Sequence, residues 1–237
     1  MEHSTPSNPA PEHELKFVLP APRSALVHAF LGSRLMPDPG HPGGWVVSVY
    51  YDTPDWRFLE EKLASDFLKS KLRLRWYEND EGQPLGTTAF LEVKSKVGSS
   101  RNKLRLPVPL TPAELRQLAL SDVRFTQLSE LARQAGAVLP SPLEPVFTVR
   151  YRRRRFVDPR SGLRVSLDDQ IHAPKANPLR IPGVRHTQIP FAVVEIKGPS
   201  ARLPASLRPL RDLGCRLQAF SKYTACHAEL TGLQPCP

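Results

Sequence analysis

Alternation of apolar and polar residues runs through most of the chain and predicts a protein built mainly from β-strands. Residues two apart in a strand face the same side of the sheet, so alternation marks strands that have one apolar and one polar face. The alternating segments predict strands at residues 14–19, 45–51, 71–77, 89–96, 103–108, 146–156, 163–170 and 191–197. Turn residues at 82–86 and 98–100 separate the central strands from one another.

Helices are predicted between these strands from apolar residues at helical spacing and from capping residues. The predicted helices lie at residues 23–36, 53–64, from 111 onwards, 121–134, 203–213 and from 221 onwards. Thr111 and Glu114 have the order of a capping box, in which each side chain bonds the other residue's backbone N–H. Gly136 follows the helix at 121–134 and is suited to end it.

The chain is expected to form a single domain, because no long linker divides its 237 residues. We expect residues 1–11 to be a disordered lead, residues 12–230 the domain and residues 231–237 a tail. The lead lacks the basic start and apolar stretch of a signal peptide. No run approaches the roughly 18 apolar residues of a membrane-spanning helix, so no membrane segment is expected.

Basic side chains share one face of several predicted strands. Lys71, Arg73 and Arg75 face the same side, opposite Leu72 and Leu74. On any single strand, contact with water would be the ordinary explanation of such a face. Similar faces recur along the sheet, however, and like charges on neighbouring strands repel each other. The repetition therefore favours a bound anion that offsets this repulsion.

The two kinds of face together predict an α+β fold, with a closed antiparallel β-barrel of about eight strands and helices packed on the outside. The helices would cover the apolar faces, so the charged faces would line the interior. A barrel of this size has room for one extended ligand. Arginine binds phosphate oxygens bidentately and lysine adds a point charge, so this interior suits a linear chain of phosphates. Carboxylates among the cations would hold a divalent metal.

Composition adds an expectation about charge and one about location. Lys and Arg number 33 against 23 for Asp and Glu, and the net charge of +10 favours an anionic partner, although a compositional bias would also explain it. Cys215, Cys226 and Cys236 are odd in number and lack metal-type spacing, which favours a reducing, cytoplasmic setting. The basic run 150–155 leaves open a nucleic-acid-binding stripe, which is the less favoured interpretation.

Short motifs of charged and aromatic residues follow one another along the chain. They are EHELK at 12–16, YYDTP at 50–54, KLRLRWY at 71–77, LEVK at 91–94, YRR at 151–153, VSLD at 165–168, VEIK at 194–197 and FSKY at 220–223. In this order they resemble the motifs of the VTC domain family of polyphosphate polymerases. That family lies within the CYTH-like superfamily of triphosphate tunnel metalloenzymes. The resemblance spans residues 12–226, and its specificity comes from the ordered combination.

The resemblance implies a set of site residues that line a tunnel. It implies catalytic phosphate contacts from Lys16, Arg73, Arg75, Lys94, Arg153, Arg164 and Lys222. It implies further substrate contacts from Lys62, Lys71, Lys103, Arg105 and Lys197. Glu195 would be the main ligand of Mn²⁺ or Mg²⁺, with Glu14, Glu12 and Glu92 as secondary carboxylates.

The resemblance also implies a reaction, the metal-dependent transfer of the terminal phosphoryl group of ATP to a growing polyphosphate chain. Such transfer needs positioning and charge neutralisation more than a protein nucleophile. A triphosphatase, in which water replaces the acceptor, and a non-catalytic polyphosphate-binding module are the alternatives. Ala219 stands where the eukaryotic polymerases have a further lysine, which counts against processive synthesis. The expected ligands are ATP or another triphosphate and polyphosphate, and no protein partner is indicated.

Overall fold

The computed structural model describes residues 13–64, 67–98, 100–183 and 187–233, so the predicted ligand Glu12 lies outside the described residues. The strands are β1 (His13–Pro20), β2 (Met36–Pro37), β3 (Gly43–Asp52), β4 (Leu68–Glu78), β5 (Phe90–Val97), β6 (Ser100–Pro107), β7 (Glu144–Asp158), β8 (Leu163–Ala176), β9 (Thr187–Gln188), β10 (Phe191–Gly198) and β11 (Arg216–Leu217). The helices are α1 (Ser24–Gly32), α2 (Arg57–Leu63), α3 (Pro112–Gln117), α4 (Val123–Gln134) and α5 (Lys222–Thr231). Every alternating segment is confirmed as a strand.

The strands form one antiparallel sheet in the order β11-β1-β10-β8-β7-β3-β4-β5-β6, with β2 beside β7 and β9 beside β8. The predicted closed barrel is wrong, because the sheet is open and no hydrogen bonds join its end strands within the described residues. Closure requires the end strands to pair along their length, whereas β11 has only two residues. Alternation shows which residues share a face, but it does not show whether the last strands meet.

The described chain divides into two compact units, each with its own hydrophobic core. The first unit contains described residues of segments 13–42, 154–168 and 191–219. The second unit contains described residues of segments 43–153, 169–190 and 220–233. Strands β7 and β8 contribute residues to both units.

The core of the second unit lies on the apolar face of β3–β5, where α2, α3 and α4 cover it. Its buried members include Tyr51, Leu72, Leu91, Phe58, Leu115 and Phe125. The Tyr51 hydroxyl donates a hydrogen bond to the Phe125 carbonyl at 2.9 Å, which joins β3 to α4. Burying a large apolar side chain stabilises the fold by about 1.5–3 kcal/mol. Because the helices occupy this face, the basic residues of the same strands lie on the opposite face.

Helix α3 begins as its sequence predicts. Thr111 caps the helix by accepting a hydrogen bond from Glu114 N, and the Glu114 carboxylate accepts one from Thr111 N at 2.7 Å. The predicted capping box is therefore confirmed. A cap of this kind stabilises a helix by about 1 kcal/mol because it satisfies backbone donors that have no partner inside the helix.

The core of the first unit lies on the apolar face of β1, β10 and β8. Its buried members include Phe17, Leu19, Val194, Ile196, Leu167, Val27 and Leu31. The predicted helix at 203–213 forms instead a 3-10 helix, Ala205–Leu210, whose Leu207 and Leu210 are buried in this core. Pro209 lies inside that segment and has no backbone N–H to donate, which disfavours a longer α-helix there.

Candidate functional site

The face of β3–β6 opposite the core of the second unit carries charged and aromatic residues in rows. The antiparallel register places Tyr50, Arg73, Glu92 and Arg105 in one row and Ser48, Arg75 and Phe90 in the next. Residues directly opposed in this way have Cβ atoms about 4.5–5.5 Å apart. The predicted contacts Arg73, Arg75 and Arg105 are therefore brought together on one surface, around a single carboxylate.

Glu92 lies among three guanidinium groups. Its Oε2 accepts a hydrogen bond from Arg73 Nε at 2.8 Å and lies 3.7 Å from Arg75 Nη1. Its Oε1 lies 3.8 Å from Arg105 Nε. Burial by itself would raise the pKa of the Glu92 carboxyl, but the three arginines outweigh burial and hold that pKa below its ordinary value. Glu92 is therefore ionised and orients the arginines, whose charges exceed its own.

Tyr151 on β7 brings three of the predicted cations together. Its ring is buried, and its hydroxyl accepts a hydrogen bond from Arg75 Nη2 at 3.4 Å. Lys222 Nζ lies 4.6 Å from the centroid of the Tyr151 ring, and Arg153 Cζ lies 5.4 Å from it. A cation over an aromatic ring is attracted by about 0.5–2 kcal/mol. One ring thus gathers cations from β4, β7 and α5.

The beginning of helix α5 positions Lys222, which is the first residue of that helix. The Ser221 side chain caps the helix by accepting a hydrogen bond from Thr224 N at 3.4 Å. The neighbouring Tyr223 stacks on Phe147 of β7, with ring centroids 5.2 Å apart and an interplanar angle of 9°. Cap and stack together fix the first turn of α5 against β7, and with it the backbone of Lys222.

Asp52, at the end of β3, is buried and accepts hydrogen bonds from several elements. Its Oδ1 accepts from the backbone N of Thr53 and of Phe58, both at 2.8 Å. Its Oδ2 accepts from Leu59 N at 3.1 Å and from the Tyr223 hydroxyl. Burial raises the pKa of Asp52 against the lowering effect of these bonds. The YYDTP and FSKY segments therefore meet at one carboxyl group.

Two further rows on the same face of β4–β6 consist of basic residues. One row is Lys71, Lys94 and Lys103, and in the next the register sets Lys96 opposite Lys69. The first row contains three predicted phosphate contacts and confirms that they share a face. Such a concentration of positive charge on one face attracts anions.

In the first unit, the polar face of β1, β10 and β8 carries both carboxylates and cations. The register places Glu14, Lys197 and Arg164 in one row and Lys16, Glu195 and Ser166 in the next. The Glu14 carboxylate lies 3.0 Å from Lys16 Nζ and 3.6 Å from Lys197 Nζ. Burial would raise the pKa of Glu14, as does the charge of Glu195, but the two lysines lower it further, and the pKa lies below its ordinary value.

Lys62 is a predicted contact that lies on a helix, and Arg105 makes a contact besides that with Glu92. Lys62 lies in the last turn of α2 and is half-buried, so it belongs to a helix and not to the basic face of the sheet. Arg105 lies on the end strand β6, with Cζ 3.9 Å from the centroid of the Phe90 ring. Its side chain is 48% exposed, so Arg105 is accessible to a ligand while it also contacts Glu92.

Comparison with protein families shows to which family the chain belongs. The family model of the VTC domain matches residues 12–231. The chain belongs to the VTC domain family. This membership, shown over nearly the whole chain, agrees with the order of the motifs.

Comparisons with individual proteins give more distant similarities for this VTC domain. No match was found among curated proteins. The chain is similar to the solved structure of a proposed adenylate cyclase from Bacillus halodurans, with 15% identity, 84% of this chain and 96% of that chain covered and a TM-score of 0.46. It is also similar to the solved structure of a proposed adenylate cyclase from Vibrio parahaemolyticus. The identity is 13%, the match covers 89% of this chain and 94% of that chain, and the TM-score is 0.42.

Membership of the VTC domain family implies a divalent metal, and the first unit offers suitable ligands. Glu14 and Glu195 share a face and lie close enough for the charge of Glu195 to affect the pKa of Glu14. Mg²⁺ is usually held by one or two carboxylates together with waters and substrate phosphates. Two carboxylates beside two lysines fit such an ion. Within the described residues no three metal-ligating side chains cluster.

The predicted contacts of the VTC domain do not include every residue of these clusters. Tyr151, Ser48, Lys69 and Lys96 are missing from the predicted contacts. The available signal for Tyr151 was its position two residues before Arg153, which puts both on one face. For Lys69 the signal was a basic residue two positions before Lys71, and for Lys96 one two positions after Lys94.

The basic run 150–155 of the VTC domain divides between the two faces of β7. On the face opposite Tyr151, Arg150 Nε lies 3.0 Å from the buried carboxylate of Glu78, and Arg152 Nη2 lies 3.2 Å from Asp80. These acidic partners neutralise the arginines, which counts against an exposed stripe for nucleic acid.

Within the described residues, no helix combines the length and apolar character needed to cross a membrane.

Proposed function

We propose that this VTC domain is a metal-dependent polyphosphate polymerase, which transfers the terminal phosphoryl group of ATP to a polyphosphate chain. The observation that carries the proposal is the cluster around Tyr151, where Arg75, Arg153 and Lys222 converge. Phosphoryl transfer is catalysed mainly by cations placed around the charge of the transferred group. The cluster supplies such cations beside the arginines that Glu92 orients.

The proposed reaction exchanges one phosphorus–oxygen bond for another. A terminal oxygen of polyphosphate attacks the γ-phosphorus of ATP, the bond from that phosphorus to the β,γ-bridging oxygen breaks, and ADP leaves. Arg73 and Arg75 bind phosphate oxygens through their planar guanidinium groups, and Lys222 adds a point charge. Preorganised cations of this kind stabilise charge that spreads over the phosphate oxygens. A metal ion held by Glu195 and Glu14, Mn²⁺ or Mg²⁺, would neutralise phosphate charge when bound.

The other predicted cations bind phosphates along the chain in this proposal. They are Lys16, Arg164 and Lys197 in the first unit and Lys62, Lys71, Lys94, Lys103 and Arg105 in the second. The row of Lys71, Lys94 and Lys103 continues the basic face beyond Arg73. An extended basic face suits a chain acceptor, and this favours a polymerase over a triphosphatase, whose substrate ends at its third phosphate.

The test is incubation of purified protein with ATP and Mn²⁺, with and without a short polyphosphate primer, followed by a gel that resolves chain length. We expect a ladder of lengthening chains that Lys222→Gln and Glu195→Gln abolish. Arg160→Gln removes a positive charge at an exposed turn of the first unit and should keep the ladder. Free phosphate without a ladder would assign a triphosphatase. Polyphosphate binding without either product would assign a non-catalytic module.

A further inference from the structure

The backbone of Trp56, the residue before α2, has a conformation that tryptophan rarely adopts. Its φ of 60° and ψ of 35° lie in the left-handed region, where a Cβ atom is crowded by the backbone. Such strain persists where the surrounding structure holds the residue in place. Here Trp56 N donates a hydrogen bond to the Thr53 carbonyl, and Glu60 N donates one to the Trp56 carbonyl, both at 3.0 Å. The turn between β3 and α2 therefore sets the direction of the indole ring.

The indole ring of Trp56 contacts His227, a residue of α5. The two ring centroids are 4.6 Å apart, and the ring planes are inclined by 69°. His227 is buried, and burial lowers its pKa below the ordinary value of 6.5, so its ring is neutral at neutral pH. Edge-to-face pairs of aromatic rings are favourable because the positive edge of one ring meets the negative face of the other. The contact therefore attaches α5 to the start of α2.

Arg180, from the loop after β8, supports the turn that carries Trp56. Its Nη2 donates hydrogen bonds to the carbonyl oxygen of Thr53, at 3.5 Å, and to that of Pro54. Its Cζ lies 5.8 Å from the centroid of a Trp56 ring, and its Nε lies 3.6 Å from Glu144 Oε2 on β7. The turn is therefore held by the loop on which Arg180 lies as well as by its own backbone hydrogen bonds.

Helix α5 is attached to the segment between β3 and α2 at two points on one face. Tyr223 donates a hydrogen bond to the carboxylate of Asp52, and His227 contacts the ring of Trp56. Residues four apart are neighbours on a helix surface, so the two points lie one turn apart. One attachment would allow the helix to turn about the contact, whereas two attachments fix its direction. All four residues belong to the second unit.

We propose that Trp56 is a positioning residue for Lys222, which it places over the Tyr151 ring by way of His227. Lys222 Nζ lies 4.6 Å from the centroid of the Tyr151 ring. The inference rests on the proposed function, in which Lys222 binds phosphate, and it assigns a role to a residue outside the basic face of the sheet. Loss of the indole would remove one of the two attachments of α5, and a displacement of about 1 Å at a functional group is enough to weaken its action.

The test measures tripolyphosphate affinity by calorimetric titration in a double-mutant cycle of Trp56→Asn and Lys222→Gln. Asparagine tolerates the left-handed backbone and is favoured before the first turn of a helix, so Trp56→Asn removes the ring without new strain. We expect Trp56→Asn to lower the affinity about fivefold in the wild-type background and less than about twofold in the Lys222→Gln background. His227→Ala removes the partner ring instead and should give the same pattern.

Trp45 offers a matched control, because it has the same kinds of neighbour away from α5. Arg150 Cζ lies 3.6 Å from the centroid of its ring, and the ring centroid of His172 lies 6.1 Å from that of Trp45. Asparagine is unfavourable in a strand, so Trp45→Asn should lower the denaturant midpoint of unfolding while it keeps the wild-type affinity. Trp56→Phe keeps an aromatic ring at the contact with His227 and should retain an affinity within about twofold of wild type.

An equal loss of affinity on Trp56→Asn in both backgrounds would show that Trp56 does not act through Lys222, and only the present inference would fail. A loss in Trp45→Asn as large as that in Trp56→Asn would also overturn the inference, because general destabilisation would then explain both. Wild type that binds no tripolyphosphate would overturn the proposed function together with the inference.

Discussion

The Tyr223 hydroxyl donates a hydrogen bond to Asp52 Oδ2 at 2.5 Å, across 171 positions of sequence. Through this bond the first turn of α5 is joined to the carboxylate that also accepts from Phe58 N and Leu59 N at the start of α2. Because Lys222 precedes Tyr223, the same bond supports the cation that lies over Tyr151. The position of Lys222 therefore depends on a buried residue at the end of β3.

Tyr223→Phe should lower both stability and phosphate binding. The change removes a donor from a buried carboxyl group while keeping the ring that stacks on Phe147, so we expect a loss of about 1–3 kcal/mol in the free energy of unfolding. Chemical denaturation measures this loss, and titration with tripolyphosphate measures the weaker binding. Tyr77→Phe, at a half-buried tyrosine on β4, is the control. Equal effects of the two variants would show that the bond to Asp52 does not matter.

Glu92→Gln should reduce stability at neutral pH by about 2–4 kcal/mol, because it leaves clustered guanidinium groups without their carboxylate. The pKa of Glu92 is lowered in the folded protein, so its contribution is present above the ordinary value of 4.5 and is lost as the pH falls through the lowered pKa. The difference in the free energy of unfolding between wild type and variant should therefore shrink on acidification below pH 4.5. Denaturant titrations across this range measure it.

The control for this experiment is Glu81→Gln, at an exposed position in the turn after β4. We expect it to change stability by less than about 0.5 kcal/mol at any pH. A Glu92→Gln deficit that keeps its full size at acidic pH would contradict the ionised carboxylate among the arginines.

Tyr151 acts through its ring and through its hydroxyl, and two substitutions separate these contributions. Tyr151→Phe removes the acceptor of the Arg75 bond but keeps the ring beside Lys222 and Arg153. Tyr151→Leu removes both. We expect tripolyphosphate affinity to fall by about threefold in the first variant and by at least about tenfold in the second. Circular dichroism of both variants must show a retained fold, and equal affinities would exclude a role for the ring.

Glu195 and Glu14 should differ in their effect on metal activation. The family resemblance implies Glu195 as the main metal ligand and Glu14 as a secondary one. We therefore expect Glu195→Gln to raise the half-saturating Mn²⁺ concentration for ATP turnover by about 10–100-fold, and Glu14→Gln by less. Measurement of the initial rate of ATP turnover at increasing Mn²⁺ concentrations tests this order of the two variants. The reverse order would make Glu14 the principal ligand.

The parts of this structure that depend on neighbouring residues could be predicted from the sequence. Lys71, Arg73 and Arg75 share a face because successive strand residues alternate sides, whatever the rest of the fold does. The capping box of Thr111 and Glu114 is confirmed for the same reason, since both partners lie within one turn of α3. The order of the motifs carried the family resemblance, and the family model confirmed the family.

The parts that depend on distant pairing could not be predicted. The opposition of Lys69 and Lys96 requires the register of β4 and β5, and alternation does not set that register. The approach of Lys222 to Tyr151 joins residues from α5 and β7, which no local pattern connects. The closed barrel was wrong because closure depends on whether the end strands pair, and the sequence of β11 does not reveal how short that strand is.

The tryptophan and tyrosine residues of the protein are confined to one of its two units. All tryptophans and tyrosines lie in the segments of the second unit, namely Trp45, Trp56, Trp76, Tyr50, Tyr51, Tyr77, Tyr151 and Tyr223. The aromatic residues of the first unit are phenylalanines, including Phe17 and Phe156. Intrinsic fluorescence therefore follows the unfolding of the second unit alone. Far-ultraviolet circular dichroism records the backbone of both, so only a comparison of the two signals reveals whether the first unit unfolds in the same transition.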